Sequence, residues 1–278
     1  MSKILITGAS GFIGQELVKK IPKSDVILDS DGTKRVDLQN KDDVMSLDIA
    51  DLVIHLGGKT PQKDLGHDEY FKNNILGTLN ILEYCIQKKI KKLIYVSTYV
   101  YGNPHYLPID EKHPVEPHNA YTESKYIGER LCEYYCKKSN LEVIILRPFN
   151  IFGKSMREGF LLTNLIDSIK NNKKITIINK KSKRDFLYVD DLVELILKMK
   201  DYNSKFEIFN VGTGISFSFD EIIEKIEKIT TKKLDVEYQE DEKTFIEDIK
   251  ANISKISKKL DWNPKIKFEE GLKKMLES

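Results

Sequence analysis

Residues 6–14 read "ITGASGFIG", and how this stretch is read decides the fold. Gly8, Gly11 and Gly14 stand between the apolar run "KILIT" and a helical pattern over about 12–20. Glycine permits a tight turn out of a strand and lets backbone approach a pyrophosphate, while a helix N-terminus offers unpaired N–H groups to phosphates. A glycine triplet at the first strand–helix junction is the context in which this motif binds a dinucleotide.

Outward from that junction, short apolar runs alternate with helical patterns. The runs "DVILD", "ADLVIHL", "KKLIYVS" and "EVIILRPF" are separated by helical segments at about 41–47, 68–89 and 121–138. Strands rich in Val, Ile and Leu with helices between them predict an α/β fold, a doubly wound parallel sheet of the Rossmann type. After Gly153 the pattern loosens. A helix near 158–171 precedes the strand "KKITIIN"; "RDFLYVDDLVELILKMK" reads as a turn entering a helix, "FEIFNVG" as a strand, and the chain from Phe217 as charged helices. The expected division is a dinucleotide-binding domain over 1–153 with about 184–211, and a smaller C-terminal α+β substrate lobe over about 154–183 and 212–278.

The chain has 278 residues, and its 45 basic and 43 acidic residues leave a net charge of +2, which gives no electrostatic footprint for nucleic acid or an anionic membrane. No apolar run approaches the roughly 20 residues needed to span a bilayer. Cys85, Cys132 and Cys136 lack metal-ligand spacing and are read as reduced thiols in packing positions, as suits a cytoplasmic protein. Only Arg35, Arg130, Arg147, Arg157 and Arg184 are arginine in a chain that otherwise uses lysine, so an arginine here points to a need for its planar fork.

An acid about 20 residues beyond the first glycine, at the tip of the second strand, is expected to accept the adenosine ribose hydroxyls. Asp29 closes "DVILD" at that distance and favours NAD over NADP, whose 2′-phosphate it would repel. Asp31 is the rival, and Lys34 and Arg35 lie nearby and weaken the preference. Further on, "NAYTESK" at 119–125 places Tyr121 and Lys125 four helical residues apart, on one face and roughly 6 Å apart along the axis.

"TGASGFIG", "VSTYVYG", "YTESK", "LRPFNIFG" and "RDFLYVDDL" occur in the order and approximate spacing of the extended short-chain dehydrogenase/reductases. Within these the chain resembles the NAD-dependent epimerase/dehydratase family, which acts on nucleotide sugars; the likeness runs from residue 3 to about 272. The resemblance implies that Tyr121 is the acid/base, that Lys125 lowers its pKa and holds the nicotinamide ribose, and that Ser97 hydrogen-bonds the reacting oxygen, with Thr98 as a possible stand-in. A phenol of pKa about 10 is a poor base at neutral pH, and a neighbouring ammonium stabilises the phenolate. The implied cofactor set is Gly8, Ser10, Gly11, Phe12, Ile13, Gly14, Asp29, the Asp37–Leu38 pair at the adenine, Leu56, Gly57, Gly58, Asn74, Pro148, Tyr121 and Lys125. The implied substrate set is Ser97, Thr98, Asn150, Arg157 and Arg184, with Arg184 on the nucleotide diphosphate. Arg147 and His55 are expected to be structural.

The chain departs from the family pattern at several points. Thr98 and Tyr99 stand where the sugar dehydratases carry an Asp–Glu pair, so elimination of water is not expected. Gly57 and Gly58 replace the usual alanines and are expected to leave more room near the cofactor. A second phosphate-binding arginine is replaced by lysine around Lys243. The expected activity is C4 epimerisation of a nucleotide sugar through a 4-keto intermediate. The alternative is an NAD(P)H-dependent 4-keto-6-deoxy-sugar reductase, which the short chain favours. A non-catalytic dinucleotide-binding protein is a remote third. A homodimer is expected through helices 68–89 and 121–138, with Ile81, Tyr84 and Tyr134 as candidate contacts.

Overall fold

The computed structural model describes residues 3–29, 36–62, 65–242 and 245–277. Contact clustering divides the chain into two compact units: 1–102, 114–148 and 193–209 form the first, and 103–113, 149–192 and 210–278 the second.

The first unit is built on a sheet of order β2-β1-β3-β4-β5-β9. The strands are β1 (Ile4–Thr7), β2 (Val26–Leu28), β3 (Leu52–His55), β4 (Lys92–Val96), β5 (Glu142–Pro148) and β9 (Phe206–Val211). The pairs β1–β2, β1–β3, β3–β4 and β4–β5 are all parallel. Every residue of β1, β3 and β4 is buried, the consequence of helices covering both faces, and this is why the strands read as unbroken apolar runs rather than alternating ones. Because β2 and β3 flank β1 on opposite sides, the strand order reverses at β1, the position where open α/β sheets bind ligands beyond the strand ends. The fold is thus doubly wound α/β.

The helices of this unit are α1 (Phe12–Val18), α2 (Lys41–Met45), α3 (His67–Tyr70), α4 (Gly77–Gln87) and α5 (Ala120–Lys138). A π-helical segment, Phe71–Leu76, joins α3 to α4. One layer of core packs Leu5, Val53, Leu93 and Val143 from the sheet against Ile81, Leu82 and Tyr84 of α4 and Cys132 and Cys136 of α5. All three cysteines are free and buried, as expected of packing residues. Ile81 and Tyr84 belong to this core, each fully buried, so they are not dimer contacts; Tyr134 is 58% exposed.

The second unit holds β6 (Asn150–Phe152), α6 (Leu161–Asn171), β7 (Ile175–Ile178), β8 (Lys183–Tyr188), β10 (Ser216–Ser218), α8 (Phe219–Thr230), β11 (Val236–Gln239), β12 (Asp248–Ile249), α9 (Ser254–Leu260) and α10 (Phe268–Leu276); α7 (Val189–Lys198) follows β8 directly. β8 pairs antiparallel with β10 and parallel with β12 and β6, while β7 and β11 form a parallel pair. "RDFLY" is therefore the middle strand of a small mixed sheet rather than a turn. Its partners are two or three residues long, too short to display a strand period in sequence. An aromatic core of Phe152, Phe186, Tyr188 and Phe268 fills this unit. No described helix is long and apolar enough to cross a membrane.

Candidate active site

The turn after β1 begins at Gly8, whose φ of +73° lies in the left-handed region that a side chain disfavours. Gly11 N–H donates to Gly8 O at 2.9 Å. A Cβ on Gly14 would sit 2.1 Å from Gly8 O, so only glycine lets α1 start this close to the strand. Asp29 is buried at the end of β2, where its Oδ2 accepts Gly8 N–H at 2.5 Å and its Oδ1 accepts Ala9 N–H at 3.2 Å. Its carboxylate thus clamps the glycine turn, and a carboxylate has lone pairs left for further donors. Ser10 and Gly11 are exposed, Phe12, Ile13 and Leu56 half-buried, and Gly14, Gly57 and Pro148 buried. Asp37 is exposed and its Oδ1 accepts Gln39 N–H. The extra room expected at Gly57 and Gly58 does not exist. A Cβ on Gly57 would meet Leu38 Cδ1 at 2.4 Å, and one on Gly58 would meet Asn74 Oδ1 at 2.6 Å. The missing methyl groups are replaced by a leucine and an amide from neighbouring elements. Asp31, Lys34, Arg35 and Lys243 lie outside the described residues.

Tyr121 and Lys125 stand on the first two turns of α5. Asn119 caps this helix, accepting Thr122 N–H, while Thr122 Oγ1 accepts Asn119 N–H in return. Tyr121 therefore sits at the positive end of a 19-residue helix, which favours an anion there. Its half-buried ring lies edge-on to Tyr70, centroids 6.1 Å apart. Lys125 is buried, and burial lowers its pKa to about 8. Ser97 follows β4, held by its N–H to Leu146 O at 2.8 Å, and its buried Oγ has no hydrogen-bond partner. Thr98 beside it is half-buried.

Asn74 lies in the π-helical segment, a distortion frequent at functional sites. Its Oδ1 accepts Lys59 N–H at 2.7 Å, and its Nδ2 donates to Lys59 O and to Ser124 Oγ at 2.8 Å. Ser124 Oγ in turn donates to Tyr121 O at 2.7 Å. The loop after β3 is thereby joined to the turn that carries Tyr121. One turn beyond Lys125, Glu129 receives Arg147 Nε and Nη2 in a two-pronged pair, with Nη2···Oε2 at 2.6 Å, both side chains buried. Arg147 Nη1 donates to Tyr101 OH at 2.8 Å. Arg147 is structural in this sense: it anchors the helix of Tyr121 and Lys125 to β5. Ser124, Glu129 and Tyr70 were not singled out in the sequence, since each is an ordinary helical residue until the fold supplies its partner.

In the second unit Asn150 Nδ2 donates to Asp185 O at 3.1 Å. Arg184 Nη1 donates to Lys183 O and Ile246 O, and its guanidinium lies over the Phe219 ring. Arg157 is exposed and stacks over Phe160 at 5.1 Å.

A glycine cradle that a Cβ would fill, a buried acid clamping that turn, a buried and unpartnered hydroxyl after β4, and a tyrosine one turn before a buried lysine on α5 are a donor set that fits a nicotinamide dinucleotide. Residues 4–212 match the model of the NAD dependent epimerase/dehydratase family. A putative UDP-glucose 4-epimerase of Methanocaldococcus jannaschii is 31% identical, over 98% of this chain and 97% of its own length. Among solved structures, UDP-glucose 4-epimerase of Thermotoga maritima with UDP-glucose superposes with a TM-score of 0.90 at 26% identity, covering 99% and 97% of the two chains. UDP-glucuronic acid 4-epimerase of Bacillus cereus, in complex with UDP-glucuronic acid and NAD, gives 0.86 at 27%, covering 99% and 98%. A family match over most of the chain, with a relative 31% identical along almost its whole length, has one reading: this chain belongs to the NAD-dependent epimerase/dehydratase family of nucleotide-sugar enzymes.

Proposed function

We propose that this protein is an NAD-dependent 4-epimerase of a uridine diphosphate sugar. The observation that carries the reading is a buried Ser97 hydroxyl with no hydrogen-bond partner, in a chain that also carries Tyr121 one turn before a buried Lys125 and has Thr98 and Tyr99 in place of an acid–base pair for elimination. NAD, when bound, supplies reversible hydride exchange at the sugar C4. Gly8, Ser10, Gly11, Phe12, Ile13 and Gly14 would hold its pyrophosphate, Asp29 its adenosine ribose, Asp37 and Leu38 its adenine, and Leu56, Gly57, Gly58, Asn74 and Pro148 its remaining length. Tyr121 takes the proton of the C4 hydroxyl and later returns it. Lys125 and the positive end of α5 stabilise the phenolate that makes this possible. Ser97 donates to the reacting oxygen and keeps it in place. Asn150, Arg157 and Arg184, with Thr98, would bind the sugar and diphosphate, the work for which arginine's fork is suited.

The uridine diphosphate sugar is supported by the two solved relatives, whose structures hold UDP-glucose or UDP-glucuronic acid. We further propose a homodimer through α4 and α5, where Ile86 is 37% and Tyr134 58% exposed; sedimentation equilibrium with Tyr134→Glu tests it. For the function, the test is to denature freshly purified protein, identify released nucleotide by mass spectrometry, and assay UDP-sugars for C4 inversion with no cofactor added. Retained NAD and inversion support the epimerase. Protein free of nucleotide that oxidises added NADPH on a 4-keto sugar would sink it.

A further inference from the structure

Behind Lys125 runs a chain of buried polar groups that the proposed reaction does not use. Gly57 N–H donates to Thr7 Oγ1 at 3.1 Å, and Thr7 Oγ1 lies 2.6 Å from His55 Nδ1. His55 Nε2 lies 3.0 Å from Thr78 Oγ1, Thr78 hydrogen-bonds the Tyr95 hydroxyl, and Tyr95 OH donates to Lys125 O at 3.3 Å. The donors order themselves. Because the Tyr95 proton goes to Lys125 O, Thr78 gives its own proton to Tyr95 and accepts Nε2–H from His55, which leaves Nδ1 to accept from Thr7 Oγ1. Burial holds His55 at a pKa of about 3, so the ring is neutral and can play both parts. The chain crosses β1, β3 and β4 and ends on the catalytic helix.

Tyr95 meets Lys125 a second time. Nζ stands 4.3 Å from the centroid of the Tyr95 ring, whose electron-rich face attracts a cation. We propose that Tyr95 is a positioning residue for Lys125: its ring carries the ammonium on one face, while its hydroxyl ties the Lys125 backbone to the loop after β3. The groups facing Nζ are Glu129 and Cys132 on α5, Tyr95 on β4 and His55 on β3, and Tyr121 acts on the Tyr95 hydroxyl. His55 and Cys132 are held neutral by burial, and Glu129 is already paired with Arg147. Glu129 also raises the lysine, and the ring face adds its own attraction for the cation against the desolvation that lowers it. Gly128 fits the same arrangement, since a Cβ there would lie 2.3 Å from the Tyr95 hydroxyl.

The inference rests on Lys125 acting as proposed above, but its test reads the lysine and not the substrate. The Cε resonance of Lys125, assigned in 13C-lysine protein with Lys125→Met, is titrated in the intact protein, and the alkaline edge of turnover is followed in parallel. Tyr95→Phe keeps the ring, so the midpoint should stay within a few tenths of a pH unit. Tyr95→Leu removes the ring, and the midpoint should fall by about one pH unit, the alkaline edge moving with it. Should Tyr95→Leu not fold, Tyr95→Phe is compared with trifluorinated phenylalanine at the same position, which keeps the shape and depletes the ring face. A midpoint that falls with fluorination supports the proposal. A Lys125 midpoint indifferent to ring loss in folded protein, or to fluorination, overturns it; the epimerase reading would be untouched by either result.

Discussion

Asp29, Asn74 and Ser124 in the first unit are each held by hydrogen bonds to the very elements they must align. In the second unit Arg184 is tied to the main-chain carbonyls of Lys183 and Ile246 and Asn150 to that of Asp185, and Arg157 is exposed over a single ring. The first arrangement ties the glycine turn and the turn that carries Tyr121 to a sheet whose strands are buried on both faces. The second fixes only the backbone that presents long, adaptable side chains. Chemistry needs the former, whereas accommodating one sugar nucleotide or another needs no more than the latter.

The largest expected effect separates the two regions by kinetics. Tyr121→Phe should lower kcat about 10²–10⁴-fold while leaving NAD in the purified protein. Arg184→Met should instead raise KM for the sugar nucleotide about 10–100-fold with kcat nearly unchanged, the worth of charged hydrogen bonds. If both variants lost kcat alike, the contrast would fail. Next, Arg147→Met strands Glu129 without its partner and should cost about 3–5 kcal/mol in urea unfolding, with Arg147→Met/Glu129→Leu recovering much of the loss.

A smaller difference is expected between two glycines. Gly14→Ala forces a methyl against Gly8 O and should cost about 1–3 kcal/mol and weaken dinucleotide binding. Gly159→Ala in the second unit meets nothing within 4 Å and bears only its φ of +92°, about 1 kcal/mol by thermal unfolding, with dinucleotide binding intact. A further effect is in pH. His55 binds a proton near pH 6.5 unfolded but only near 3 folded, so stability is lost as pH falls through that window, by up to about 1.4 kcal/mol per unit. His55→Gln, which can still donate and accept, should flatten that acid limb. Lys125, lowered from 10.5 to about 8, acts in the same sense at alkaline pH: stability rises between those values, and Lys125→Met should remove the rise.

Much of the first unit was legible because its signals are local. A glycine turn, a strand tip and a helix cap each report their geometry within ten residues, so Gly8, Asp29 and the Tyr121–Lys125 spacing could be placed before any contact was known. The small sheet around β8 was not legible, because its strands are two to six residues long and draw their partners from distant parts of the chain. The misreading of Gly57 and Gly58 has the same origin: the space left by an absent methyl is filled by Leu38 and Asn74, which sequence proximity does not reveal.

The sequence by itself determined the parallel sheet, the glycine turn and the one-turn spacing of Tyr121 and Lys125, since apolar runs, glycine spacing and helical periodicity are properties of neighbouring residues. Only the tertiary structure decided that Asp29 clamps the glycine turn, that Asn74 and Ser124 steady Tyr121, that Arg147 neutralises Glu129, and that Lys125 rests on Tyr95. Those are pairings between strands and helices far apart in the chain. Their strength comes from burial, a condition that exists once the core has closed around them.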